Sequence, residues 1–141
     1  MKNIIIIKQD VDEMIAYAKS KLPQEACGLI AGEEKDGERI IQKVYYLTNL
    51  DESREHFTLD PKEQLRAIKD MRAKGLVPLG NWHSHPESPS RPSEEDKRLA
   101  YDSKASYLIL SLMGEAPVLN SFHVENGEAS GERLEIRNEQ N

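Results

Sequence analysis

Four consecutive isoleucines, Ile4 to Ile7, constrain this chain more than any other local feature. β-Branched residues favour the extended backbone, and a run with no polar alternation needs cover on both faces. The chain must therefore place a strand inside a layered structure. The run is far shorter than the ~20 residues that cross a bilayer, and no tripartite leader surrounds it, so neither a membrane anchor nor a signal peptide is expected.

The remaining pattern interleaves strands with three helices. Asp10 is expected to cap a helix, with Glu13 closing a capping box and Val11, Met14, Ile15 and Ala18 forming its apolar stripe up to Leu22-Pro23. Cys27 to Ala31 reads as a buried strand, Lys35-Asp36-Gly37 as a turn, and Glu38 to Leu50 as a longer strand. Thr48 to Glu55 is polar loop and Phe57 to Leu59 a short extended piece. Asp60-Pro61 then opens a second helix with the stripe Leu65, Ile68 and Met71, closed by Lys74-Gly75. Val77 to Trp82 returns as a strand. Pro86, Pro89 and Pro92 make the following stretch a stiff loop, and a helix is expected from Glu94 to about Ser103. Tyr107 to Met113, Val118 to Val124 and Leu134 to Ile136 are the last strands, with Asn126-Gly127 as a hairpin turn and Asn138 to Asn141 as a frayed tail. The expectation is one α/β (α+β) domain over residues 1–141, with a curved mixed sheet flanked by about three helices.

Charge and cysteine usage narrow the function classes. Nineteen Lys and Arg against 25 Asp and Glu leave a net charge of −6 and a pI near 5.3. That balance argues against nucleic acid or an anionic membrane as the main partner, because no basic field displaces counterions. One cysteine, Cys27, excludes an internal disulfide and an all-cysteine metal site, and fits a reduced, cytoplasmic protein.

His83 and His85 directly follow an apolar strand. In an extended segment residues i and i+2 face the same side, so both imidazoles can meet at one point. Neutral imidazole is a common zinc ligand. A third, anionic ligand is expected from Asp96, in the first turn of the helix capped by Ser93. Two imidazoles and a carboxylate leave a tetrahedral position open, as in catalytic rather than structural zinc sites. Each piece alone has a plainer reading. A His-x-His pair is often surface polar, Ser93-x-x-Asp96 is an ordinary capping box, Glu25 is a loop acid and Cys27 is a small buried residue.

Together, His83-Ser84-His85-Pro86, the seven residues separating His85 from Ser93, and Ser93-Glu94-Glu95-Asp96 reproduce H-x-H-P…S-x-x-D, with Glu25 upstream in Glu25-Ala26-Cys27-Gly28. This resembles the JAMM motif of the MPN+ (Mov34/JAB) metallopeptidases, in their short prokaryotic form. The similarity covers residues about 1 to 125. The resemblance implies one Zn²⁺ per chain on His83, His85 and Asp96, with Glu25 as catalytic acid and base and Ser93 as donor to the oxyanion. It further implies hydrolysis of the amide bond after the C-terminal Gly-Gly of a ubiquitin-like, ThiS/MoaD-type sulfur carrier protein, releasing an amino acid in cysteine or homocysteine formation. Trp82 and the loop Glu87 to Arg91, both near the motif, are candidates to line a channel for the two glycines, with Trp82 equally suited to the core. A desampylase-like isopeptidase releasing carriers from lysine is the alternative enzyme. A RadC-like repair protein is disfavoured by acidic charge, and a non-catalytic MPN scaffold by the complete motif.

Overall fold

The isoleucine run is covered on both faces, with Ile4, Ile5 and Ile6 almost inaccessible to solvent. The computed structural model describes residues 2–138, so the expected frayed tail falls outside the described residues apart from Asn138. Strand β1 (Asn3–Ile7) pairs in parallel with both β3 (Glu38–Leu47) and β7 (Glu128–Arg137). The other strands are β2 (Cys27–Lys35), β4 (Val77–His85), β5 (Ser106–Ser111) and β6 (Val118–Glu125). Their order is β1-β3-β2-β4-β5-β6-β7, and the β7–β1 pairing closes this mixed, curved sheet into a barrel. The β1–β3, β1–β7 and β4–β5 pairs are parallel and the rest antiparallel.

Both hairpin turns form where the sequence marks them. Asp36 and Gly37, then Asn126 and Gly127, take positive φ (53° and 79°, 53° and 76°), the paired left-handed residues that match strand twist.

Three helices flank the sheet: α1 (Lys8–Lys21), α2 (Pro61–Ala73) and α3 (Glu94–Arg98). Asp10 is not the cap of α1. The helix begins at Lys8 with Ile7 at the N-cap and no side-chain cap, because Ile7 is still paired with Arg137 and the chain turns there directly into helix. The stripe survives this shift, with Val11, Met14 and Ala18 packed on Ile4, Ile6, Ile30 and Trp82. Helix α2 starts as expected: Asp60 Oδ1 accepts from the Lys62 N–H at 2.9 Å, with Pro61 at the first position. Its buried side is Ala67 and Met71, with Ile68 at the margin, whereas Leu65 is exposed. That stripe seals the outer face of β2 and β3 over Ala31, Tyr45 and Leu47.

Helix α3 stops at Arg98, five residues short of the expected end. Asp102 takes the chain out of helix: its Oδ1 accepts from Lys104 N–H, and the Tyr107 hydroxyl bonds both its N–H and its carbonyl. The buried Arg39 guanidinium donates to the Lys104 carbonyl and to Ser106 Oγ, fixing this segment to the barrel. Among the described residues, no helix is long and apolar enough to cross a membrane.

Candidate active site

Strand β4 ends in His83-Ser84-His85, and all three residues are buried. The alternation of the pleat sends the two imidazoles to one face and the Ser84 hydroxyl to the other. Ser84 Oγ accepts from the Ala26 N–H at 2.8 Å, and the Ser84 N–H donates to the Ala26 carbonyl at 2.9 Å. The start of β2, and with it Glu25, is thereby clamped between the positions of the two histidines. The tight β2–β4 packing also needs Gly28. A Cβ there would lie 1.7 Å from the Tyr45 carbonyl oxygen and 2.5 Å from Trp82 Nε1, which donates to that same carbonyl at 3.1 Å. Trp82 is fully buried in the core and does not line a channel.

The chain does bring the expected ligand set together. His83 Nε2 and His85 Nε2 lie 3.1 Å apart, and Asp96 Oδ2 is 3.2 Å and 3.0 Å from them. Asp96 reaches this point from the third position of α3, whose capping box is complete. Ser93 Oγ accepts from the Asp96 N–H at 3.0 Å, and Asp96 Oδ2 accepts from the Ser93 N–H at 2.9 Å. The capping box and the ligand geometry are thus one structure, and the plain reading of Ser93-x-x-Asp96 does not compete with the other.

The donor chemistry fits a divalent cation such as Zn²⁺. Four ligands at ~2.0–2.1 Å around a tetrahedral ion are spaced roughly 3.3 Å apart, close to the sides of this triangle. The His85 Nδ1–H donates to the Pro89 carbonyl at 2.8 Å, which leaves the Nε2 lone pair for the metal side. The His83 ring stacks on Phe57, with centroids 4.7 Å apart and an interplanar angle of 28°. Its Nδ1 is buried without a partner. The three atoms form the one such His/Cys/Asp/Glu group among the described residues.

Electrostatics support the same assignment. Burial holds the His83 imidazolium in disfavour and lowers its pKa, with Asp96 partly offsetting this, so the neutral form that binds metal prevails. Burial works to raise the Asp96 carboxyl, but hydrogen bonds with His83 and His85 overcome it and hold the group below the usual carboxylate range.

Glu25 sits beside this group, 2% exposed, with Oε1 buried and unpartnered. Burial first, then the charges of Asp96, Glu95 and Glu55, push its pKa up to about 9. An acid in such a place costs stability, and a nearby cation would relieve the penalty. Asn49, in the polar loop after β3, holds the Glu25 carbonyl through Nδ2 at 3.1 Å and fastens residues 51 and 58 through Oδ1. Ser84, Asn49 and Phe57 are the supporting residues that the motif did not reveal. Only Ser84 carried a signal, a small hydroxyl alternating between two inward histidines. Cys27 is fully buried, its thiol pushed up to about 12 by burial first, and its Sγ lies 3.7 Å from the Leu47 carbonyl in a packing role.

A cavity of about 350 Å³ opens beside the triangle. His83 and Asp96 stand at one end, and Phe57, Leu59, Tyr101 and Tyr107 form its apolar walls. The loop Pro86 to Pro92 is held rigid against β5 and β6. Ser90 Oγ donates to the Ile109 carbonyl, Ser111 Oγ to the Ser88 carbonyl, and Asn120 Nδ2 to the Ser90 carbonyl.

Comparison with known proteins agrees with this geometry. The CysO-cysteine peptidase of Mycobacterium tuberculosis is 30% identical over 135 residues, covering 94% of this chain and 91% of that protein. A desampylase of Haloferax volcanii is 33% identical over 105 residues, covering 71% and 74%. The solution structure of a Desulfitobacterium hafniense protein, 49% identical, has a TM-score of 0.89 over 96% of this chain and 94% of that one. The family model of prokaryotic homologs of the JAB domain matches residues 8–125, and this chain belongs to that prokaryotic JAB (JAMM/MPN+) family.

Proposed function

We propose that this protein is a zinc metallopeptidase that hydrolyses the amide bond after the C-terminal Gly-Gly of a ThiS/MoaD-type sulfur carrier protein. The product is the free carrier and an amino acid of the cysteine or homocysteine type, and the compartment is the cytoplasm. The observation that carries the reading is the 3.0–3.2 Å triangle of His83, His85 and Asp96 with Glu25, its Oε1 buried and unpartnered, alongside. The peptidase and desampylase names of relatives over most of their length support the class.

His83, His85 and Asp96 would hold one Zn²⁺. When bound, the ion supplies Lewis acidity, which polarises a carbonyl and acidifies water at neutral pH. Glu25 takes the proton from the attacking water as the carbon–oxygen bond forms, then delivers it to the departing nitrogen as the carbon–nitrogen bond breaks. Ser93 Oγ already accepts from Asp96, so its O–H remains free to donate to the oxygen that gains charge. Ser84 and Asn49 position Glu25 through the main chain. Two glycines present no side chains and suit close approach to a buried centre.

An isopeptidase acting on carrier–lysine linkages is the second reading, favoured by the desampylase relative. A non-catalytic scaffold would have no need of an unpaired Glu25 beside a complete ligand set. Incubating the zinc-loaded protein with a carrier bearing C-terminal cysteine, and separately with a carrier joined to a lysine ε-amine, tests the assignment by intact mass. Release of cysteine with the carrier ending in Gly-Gly is expected. Cleavage of the lysine linkage alone moves the assignment to the second reading, and cleavage of neither overturns both.

A further inference from the structure

Among the polar side chains lining the cavity beside the triangle, Asn81 stands on the same strand as the two histidines and carries a buried oxygen without a partner. Asn81 lies two residues before His83 on β4, so its carboxamide shares the face of His83 and His85. In the ladders it stands opposite Leu29 on β2 and Tyr107 on β5. Its Oδ1 is buried and has no hydrogen-bond partner. Phe57, Leu59, Tyr107 and Ile109 give the cavity its apolar walls, and although His56, Thr58, Gln64 and Glu95 also line it, no donor bonds that oxygen.

A buried amide acceptor without a partner is destabilising, so its presence calls for an explanation. A cavity of about 350 Å³ is of the size that holds a peptide segment or small ligand. Along an extended chain, two residues span roughly 7 Å. A substrate main chain running beside β4 with its scissile bond at the triangle therefore brings the peptide group about two residues away over Asn81. Glycines offer no side chain to recognise, which leaves only their N–H and C=O. A carboxamide carries one acceptor and one paired donor in a single plane, the complement of a peptide group. Rotation about its Cβ–Cγ bond is soft, so the group can turn to meet that partner.

We infer that Asn81 is a specificity-determining residue whose carboxamide hydrogen-bonds the main chain of the carrier tail at the penultimate glycine, about two residues before the scissile bond. This inference rests on the peptidase reading above. It separates that reading into two parts: zinc-dependent cleavage, which needs the triangle and Glu25, and recognition of a side-chain-free tail, which needs Asn81.

The test compares wild type with Asn81→Leu and Asn81→Ala on a ThiS/MoaD-type carrier bearing C-terminal cysteine. The same carrier made with sarcosine at the penultimate glycine, which lacks that N–H, is the second substrate. Asn81→Leu is expected to keep one zinc per chain and a melting temperature at or above wild type, because an unsatisfied acceptor is removed. KM should rise about tenfold with kcat within about twofold, as when binding common to ground and transition states is lost. Sarcosine should cost wild type a similar factor and cost Asn81→Leu nothing further. Wild-type KM in Asn81→Leu, or equal sarcosine penalties in both proteins, overturns the inference while leaving the peptidase intact. A lower melting temperature or lost zinc in both variants assigns Asn81 a structural role and overturns it as well. Failure of wild type to cleave either carrier overturns the peptidase reading and this inference with it.

Discussion

The Ser84 hydroxyl accepts the main-chain N–H of Ala26 at 2.8 Å, joining the residue between the two histidines to the residue after Glu25. Two sequence segments 58 positions apart are locked by one side chain. The His83–His85–Asp96 triangle and the acid beside it are thus held in one frame by a residue that belongs to neither.

Ser84→Ala should therefore do damage in two ways. The buried Ala26 N–H loses its acceptor, at a cost of about 1–3 kcal/mol read from urea denaturation. Glu25 also loses one of its anchors, with the Asn49 bond to its carbonyl remaining, so kcat for carrier–cysteine cleavage should fall about tenfold, roughly what modest misplacement of a catalytic group costs. Zinc content should stay at one per chain. Unchanged kcat in a destabilised variant would show that Ser84 serves the fold alone.

Glu25→Gln is expected to retain zinc and lose cleavage by a factor on the order of 10²–10⁴, the usual contribution of a positioned acid–base group. The metal-free protein gives an independent readout. The folded pKa of Glu25, about 9, lies above its ordinary value of 4.5. Below 4.5 both states hold the proton. As pH rises through the window from 4.5 to 9, the unfolded chain releases the proton and the folded chain keeps it, so wild type loses stability. In chelator, Glu25→Gln should match wild type near pH 4 and exceed it by up to about 5 kcal/mol at pH 8. Parallel stability profiles for the two proteins from pH 5 to 8 would contradict this.

Zinc should raise the melting temperature of wild type, and a chelator should reverse the rise. At a hundredfold excess over Kd, binding to the folded state alone adds about 2.7 kcal/mol. His83→Ala and Asp96→Ala should abolish the zinc-dependent increment. Asp96→Ala should in addition lose about 1 kcal/mol without zinc, because the α3 capping box goes with it. Calorimetry with and without Zn²⁺ checks both statements.

Ser93 caps α3 and is the proposed oxyanion donor, and Ser93→Gly separates the two roles. Glycine at an N-cap costs only a few tenths of a kcal/mol, so the fold should hardly notice. Loss of the hydroxyl should still reduce kcat by about 10²–10³, the range for removing one oxyanion donor. Full activity in Ser93→Gly would remove Ser93 from the chemistry.

Local patterns in the chain were sufficient wherever one short segment sets its own conformation. The Ile4–Ile7 run, the Asp60-Pro61 helix start and the Asn126-Gly127 turn each follow from nearby residues, and each is where the sequence places it. The His83, His85, Ser93 and Asp96 spacing also belongs here, because pleat alternation and a capping box dictate where those side chains point. Tertiary structure decided the rest. The start of α1 moved from Asp10 to Lys8 because Ile7 is bound to Arg137, and α3 ended early because Tyr107 and Arg39 hold the segment after it. Closure of the barrel rests on β1 meeting β7 across more than 120 residues, which no window of sequence contains. Glu25, Phe57 and Asn81 acquire their surroundings only when β2, β4 and the Asn49 loop are packed together. Burial and its electrostatic consequences arise from such distant contacts, whereas propensity and periodicity are properties of neighbours.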